Sequence, residues 1–144
     1  MISELTDAQR TRIERALAAV PFAQLLGIRL QNVGFGRAVL AMEVTDKLKQ
    51  NDGIVHGGAI ASLIDSATAF AILPLLGEGE RTTTIDLTIN FLRPLSSGSA
   101  TATATLLRAG RRIISVSAEV HNDEGKLVAS ALSTYLRLEA ANLA

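Results

Sequence analysis

From Gly53 to Gly77 the sequence carries one formally charged side chain, Asp65, in the run Ala61-Ser-Leu-Ile-Asp-Ser-Ala-Thr-Ala69. Burying an unpaired carboxylate is expensive, so in such apolar company it is hydrogen-bonded, paired or functional. Two readings follow: a structural Asp bonded to nearby Ser or Thr hydroxyls, or an acid-base group that does chemistry. The residues opening the same stretch favour the second. His56-Gly57-Gly58 stands where a helix begins, and its two glycines let a substrate approach backbone N–H groups with the positive end of the helix dipole behind them. Such an array suits a carbonyl oxygen that gains negative charge. Asp65 lies eight residues after Gly57, about 12 Å further along a helix rising about 1.5 Å per residue. One reacting carbonyl cannot touch both. If both act, they come from different copies, with two such helices antiparallel across a two-fold axis. The spacing predicts an obligate dimer with two composite sites.

The elements that must hold these residues are legible in outline. Thr6 or Asp7 can cap a short N-terminal helix with apolar positions Ile13, Leu17, Ala18 and Val20, stopped by Pro21. Ile28–Val33 and Ala38–Val44 read as a hairpin turning at Gly34-Phe-Gly36, and Thr45–Val55 as a loop. A helix apolar nearly all round, hence enclosed, runs from Gly57 to about Leu73 and ends before Gly77-Glu-Gly79. Beyond it come four strand-like stretches. In the first, Ile85, Leu87, Ile89 and Phe91 are expected on one face; Ala100–Thr105 alternates, and Ile114–Val120 and Leu127–Leu138 complete the set. Arg108–Arg111 and Asn122–Gly125 supply tight turns, so pairing is antiparallel. The expected fold class is α+β: one antiparallel sheet wrapped around one long central helix, within a single domain of residues 1–144, with 1–21 as an N-terminal helix and 22–138 as the core. The small Ala, Ser and Thr residues of the sheet's second face leave room for a partner subunit.

Composition removes several kinds of chemistry. Lys plus Arg and Asp plus Glu both number 14, a balance that implies no general attraction to nucleic acid or anionic lipid. With no Cys there is no thiol nucleophile, disulfide or thiolate metal site, and His56 and His121 are too far apart in sequence to form a spaced metal motif. No metal site is expected. Gly57–Leu76 imitates a membrane span, but Asp65 near its middle, Gly57, Gly58 and Pro74 argue against one, so a helix buried in protein is expected. The acidic start, Met1-Ile-Ser-Glu-Leu-Thr-Asp7, lacks a secretory leader's basic region, and a cytoplasmic location is expected.

The segments Gln50-Asn-Asp-Gly-Ile-Val-His-Gly-Gly58, Leu63-Ile-Asp65 and Thr84-Ile-Asp-Leu-Thr-Ile-Asn-Phe-Leu-Arg-Pro94 together resemble the hotdog acyl-CoA thioesterases of the phenylacetate-degradation (PaaI-like) group, over about Phe22 to Leu138. That resemblance implies a hotdog fold, self-association as a dimer or dimer of dimers, and hydrolysis of aryl- or medium-chain acyl-CoA with no cofactor beyond the substrate's own coenzyme A. It implies that the Gly57 N–H polarises the thioester carbonyl, that His56 braces the helix start, and that Gln50 orients the carbonyl or the attacking water. Asp65 would serve from the partner subunit as general base or nucleophile. Thr84 takes the place of a hydroxyl residue holding the water, with Thr83 beside it as the alternative. Gly58, Arg93, Arg108, Gly110, Arg111 and Arg112 would meet the coenzyme A part, guanidinium forks suiting its phosphates; His121 would have no catalytic duty. An acyl pocket of Ala, Leu and Ile side chains with Phe70 would take aromatic or medium aliphatic groups. Two other readings stand beside this one. A hydratase or dehydratase on the same fold would resemble a pattern with an Asp-His pair that this sequence lacks, and a non-catalytic acyl-CoA binder would not need Asp65.

Overall fold

The computed structural model describes residues 4–139. Helix α1, Asp7–Ala18, starts at Thr6, whose hydroxyl accepts from the Gln9 N–H at 3.2 Å while the Gln9 side chain accepts from the Thr6 N–H at 2.8 Å. This reciprocal cap satisfies two N–H groups that a helix start otherwise leaves without partners. α1 buries Ile13 and Leu17, as its spacing predicts, whereas Val20 is exposed.

Pro21 does more than stop α1. It is the first residue of a second helix, α2, Pro21–Leu26, which the sequence reading did not foresee. Proline suits this position because its ring presets a helical φ and the N–H it lacks would have no partner there. Gly27, at φ 71°, ends α2 in the left-handed conformation.

Six strands follow: β1 Ile28–Gly34, β2 Arg37–Glu43, β3 Glu80–Phe91, β4 Ser99–Ala109, β5 Ile113–His121 and β6 Leu127–Glu139. They form one antiparallel sheet in the order β1-β2-β4-β5-β6-β3. Helix α3, Gly57–Ile72, with its tighter 3₁₀ extension Leu73–Leu75, connects β2 to β3 and packs on β2, β4 and β5. The sheet meets it with alanines, Ala100, Ala102 and Ala104, every one fully buried, so backbone and helix approach closely. From the helix side Leu63, Ile64, Ala67 and Ala71 are fully buried. Burial of this kind is worth roughly 1.5–3 kcal/mol for each Leu or Ile, and Leu63→Ala is expected to cost about 2–5 kcal/mol. Gly57–Leu75 has the length and apolarity of a membrane span, and in this fold the sheet wraps it. The architecture is the expected helix-in-sheet arrangement of a hotdog fold.

One strand departs from simple alternation. In β3, Thr84 pairs with Tyr135 and Asp86 with Thr134, so Ile85 is the extra residue of a β-bulge. Ile85 is 53% exposed, not aligned with Leu87 and Ile89 as its spacing suggested. In a regular strand, residues an odd number apart face opposite sides. The bulge changes that phase, so Thr82 and Thr84 before it and Leu87 and Ile89 after it are all partly buried.

Candidate active site

Asp65 sits midway along α3 and is half-buried, facing β3 and β6. Its Oδ1 accepts from Thr84 Oγ1 at 2.8 Å and from the Tyr135 hydroxyl at 3.2 Å. The same tyrosine hydroxyl lies 3.0 Å from the Asp65 main-chain oxygen, to which Thr68 Oγ1 donates at 3.1 Å, and 2.7 Å from Thr68 Oγ1. A phenol has one proton, so Tyr135 shares it between the two Asp65 oxygens, and in its contact with Thr68 either hydroxyl can be the donor. Among the described residues Oδ2 of Asp65 accepts no hydrogen bond from the protein. The network therefore fixes the carboxyl group through one oxygen and leaves the other without a donor among the described residues.

Tyr135 is buried, and burial pushes its pKa up to about 12. The bond with Thr68 opposes that shift, and the negative charge of Asp65 adds to it. A tyrosine so raised stays a neutral donor at physiological pH. Sequence reasoning missed Tyr135, which lies 70 residues from Asp65. It is the chain's one tyrosine, in a strand of small and apolar residues, and a buried phenol needs a partner; that is the signal which could have pointed to it. The bulge before Asp86 settles which threonine meets the carboxylate: Thr84 does, and Thr83 is exposed.

The start of α3 is built differently. His56 is the residue before the first helical turn, and its Nδ1 accepts from the Gly58 N–H at 2.7 Å. That occupies one of the two glycine amides. A Cβ at Gly58 would stand 2.8 Å from the same Nδ1, so glycine there leaves room for the histidine ring. The Gly57 N–H has no protein acceptor among the described residues. Gln50 stands in the preceding loop, where its side-chain oxygen accepts from the Asp52 N–H at 2.7 Å, leaving its NH₂ group as a donor. The loop is tied down by the Val55 N–H on the Leu95 carbonyl at 2.8 Å and the His56 N–H on that of Leu48 at 2.7 Å.

The arginines divide between the two ends of β3. Arg93 lines a cavity with Gly57 and donates from Nη1 to the Leu127 carbonyl at 2.9 Å. Arg108, Arg111 and Arg112 are exposed on the hairpin between β4 and β5. That hairpin needs glycine at position 110, where a Cβ would meet the Ile113 carbonyl oxygen at 2.6 Å. Arg137, which the sequence reading passed over, supports the hairpin: its N–H donates to the Arg112 carbonyl at 2.7 Å and its Nη1 contacts Glu80 Oε2 at 2.7 Å. Arg137 pairs with Thr82 in the sheet, so the hairpin lies at the same end of the sheet as the first half of β3, with β6 between them. Gln50, His56, Gly57, Gly58 and Arg93 thus gather at one end, and Asp65, Thr84, Gly110 and the hairpin arginines at the other. His121 pairs with Leu127 in the sheet and its Nε2 lies 3.7 Å from Glu119 Oε2. Phe70, expected in an acyl pocket, is instead packed into the core at 8% exposure. The aromatic ring beside the helix start is that of Phe91: a Cβ at Gly57 would lie 3.3 Å from it.

Residues 52–129 match the family model of the thioesterase superfamily. The chain belongs to that superfamily and is a thioester hydrolase on a hotdog fold. Among curated proteins it is 32% identical over 153 residues to the medium/long-chain acyl-CoA thioesterase YigI of Salmonella typhimurium, covering 94% of this chain and 99% of that one. Among solved structures it resembles thioesterase HI1161 from Haemophilus influenzae, with TM-score 0.86 and 26% identity over 97% of this chain and 96% of the other. The Escherichia coli PaaI protein of the phenylacetic acid degradation operon superposes with TM-score 0.83 and 28% identity, covering 91% of this chain and 94% of that one.

Proposed function

We propose that this protein hydrolyses aryl- or medium-chain acyl-CoA thioesters to the free acid and coenzyme A, at two sites each shared between two subunits. The observation that carries the reading is the separation of a carboxylate with one unengaged oxygen from a helix start with one unengaged amide, about 12 Å apart on the same helix. Two copies of the chain bring the two together. β3 is an edge strand of 12 residues, hydrogen-bonded to β6 alone. Beside it the small residues Gly57, Gly58 and Ala61 of α3 and the apolar Leu87, Ile89 and Phe91 line an open groove. Antiparallel pairing of two such edges about Leu87 and Thr88 sets Thr84 of one subunit opposite Phe91 of the other, and so Asp65 near the partner's helix start.

In that arrangement the Gly57 N–H and the Gln50 NH₂ hold the thioester carbonyl. Asp65 Oδ2 takes a proton from a water whose oxygen attacks the carbonyl carbon. The tetrahedral intermediate, its oxygen held by Gly57, then collapses with loss of the coenzyme A thiolate, which is protonated to the thiol. Attack by the carboxylate itself, through an anhydride that water then opens, uses the same geometry. Arg93 of one subunit and the hairpin arginines of the other lie on the two sides of the composite site, where the coenzyme phosphates need cations.

The test is release of coenzyme A from a panel of aryl- and alkyl-CoA thioesters. Asp65→Ala is expected to fold and to lose about 10²–10⁴-fold in kcat; a folded Asp65→Ala protein with wild-type turnover sinks the assignment. Mixing Asp65→Ala with Gly57→Val subunits restores activity if sites are shared, and verified mixed dimers without rescue rule sharing out.

A further inference from the structure

Phe91 is 56% exposed, yet apolar walls flank it on both sides. On one side lies the groove of α3 and β3 where a second subunit is proposed to pack. On the other is a cavity of about 310 Å³, whose wall includes Ile54, Val55, Ile60, Leu92, Leu95 and Val128. Phe91 and Gly57 border both spaces, so the ring is a partition standing at the helix start.

We infer that the 310 Å³ cavity receives the acyl chain and that Phe91 and Leu92 set how long a chain it accepts. This rests on the reading of the Gly57 N–H as the group that holds the thioester carbonyl. From a carbonyl carbon at Gly57 the acyl chain departs directly, and the first apolar enclosure it meets is this one. The six side chains named offer no donor or acceptor, which suits a hydrocarbon and not the amides of the pantetheine arm or the phosphates beyond it. The one cation in the wall, Arg93, directs Nη1 to the Leu127 carbonyl. Capacity follows from volume. A space of about 310 Å³ exceeds by many times the roughly 30 Å³ that one water takes in the liquid, so it has room for a chain of several methylenes. The ligand class is a medium-chain aliphatic acyl group.

The test is kcat/KM across saturated acyl-CoA substrates of increasing length, from butanoyl to palmitoyl, for the wild type, Leu92→Trp and Phe91→Ala. For the wild type we expect a rise of about fourfold per added methylene until the chain fills the cavity at medium length, then a plateau or fall. Leu92 is 56% exposed, so an indole there spares the core; it is expected to move the optimum about two carbons shorter, while Phe91→Ala moves it longer. Identical length profiles in all three active proteins overturn the cavity assignment and leave the thioesterase reading standing. A wild type that hydrolyses aryl-CoA thioesters but none of these overturns the cavity assignment alone, and one that hydrolyses neither kind removes both.

Discussion

The alkaline titration of Tyr135 offers a direct check on the hydrogen-bond network around Asp65. Burial raises its pKa to about 12 from the ordinary 10.0. The folded protein therefore prefers the neutral phenol more strongly than the unfolded chain does. Because the folded value is the higher one, this contribution to stability is complete below about pH 10 and is lost as pH rises toward about 12. Two pKa units at about 1.36 kcal/mol each make the whole effect about 2.7 kcal/mol, falling by about 1.4 kcal/mol per pH unit within the window. The chain has one Tyr and no Trp, so absorbance of the tyrosinate near 295 nm reports this residue alone. At pH 11 about one native molecule in ten is expected to be ionised, against about nine in ten unfolded in denaturant. Denaturant melts from pH 9.5 to 11.5 supply the energetic half of the experiment. Wild-type stability falls with the slope given, and Tyr135→Phe removes that component. A native tyrosine titrating near pH 10 would refute the reasoning, since the phenol would then be neither buried nor committed to Asp65.

Two further predictions address residues that sequence reading left undecided or unseen. Thr84→Val removes the donor to Asp65 Oδ1 at nearly constant shape; with a hydrogen bond to a charged group worth about 1.5–3 kcal/mol, kcat is expected to fall about 10- to 100-fold, whereas Thr83→Val changes it less than about twofold. A larger loss at Thr83 would show that the strand's phase is other than described. Glu80 has its pKa lowered, first by the bond from Arg137 and then by the Gly77 N–H. Its contribution is thus present above the ordinary 4.5 and is lost as pH falls through the lower folded value. Glu80→Gln is expected to lower the Tm at pH 7 by an amount that shrinks as pH falls below the ordinary carboxylate range, and a deficit that does not change with pH would mean that the ion pair is not its cause.

What could be read from the sequence was what depends on local periodicity. Ala100 to Thr105 alternates so regularly that a two-faced strand was evident, and α3 ends within a residue of its expected limit because its apolarity runs nearly unbroken to Pro74. The carboxylate and the glycine pair stood out because each contradicts its surroundings. The misses have a different origin. Pro21 stops one helix and starts another, and proline chemistry allows both roles. The bulge at Ile85 uses an ordinary strand residue, and only the pairing with β6 reveals it. Tyr135 and Arg137 meet Asp65 and Glu80 across long stretches of chain, through a register no local pattern specifies.

That bulge has a consequence beyond the position of one hydroxyl. Thr84 and Leu87 are three residues apart, and without an extra residue between them they could not both turn toward α3. Ile85 separates β3 into a polar segment that serves the carboxylate and an apolar segment that leads to Phe91. Each segment can therefore exchange side chains while the other keeps its alignment. On the proposed reading, diversification of acyl preference proceeds along residues 87–92 while the end of the strand that meets Asp65 is left undisturbed.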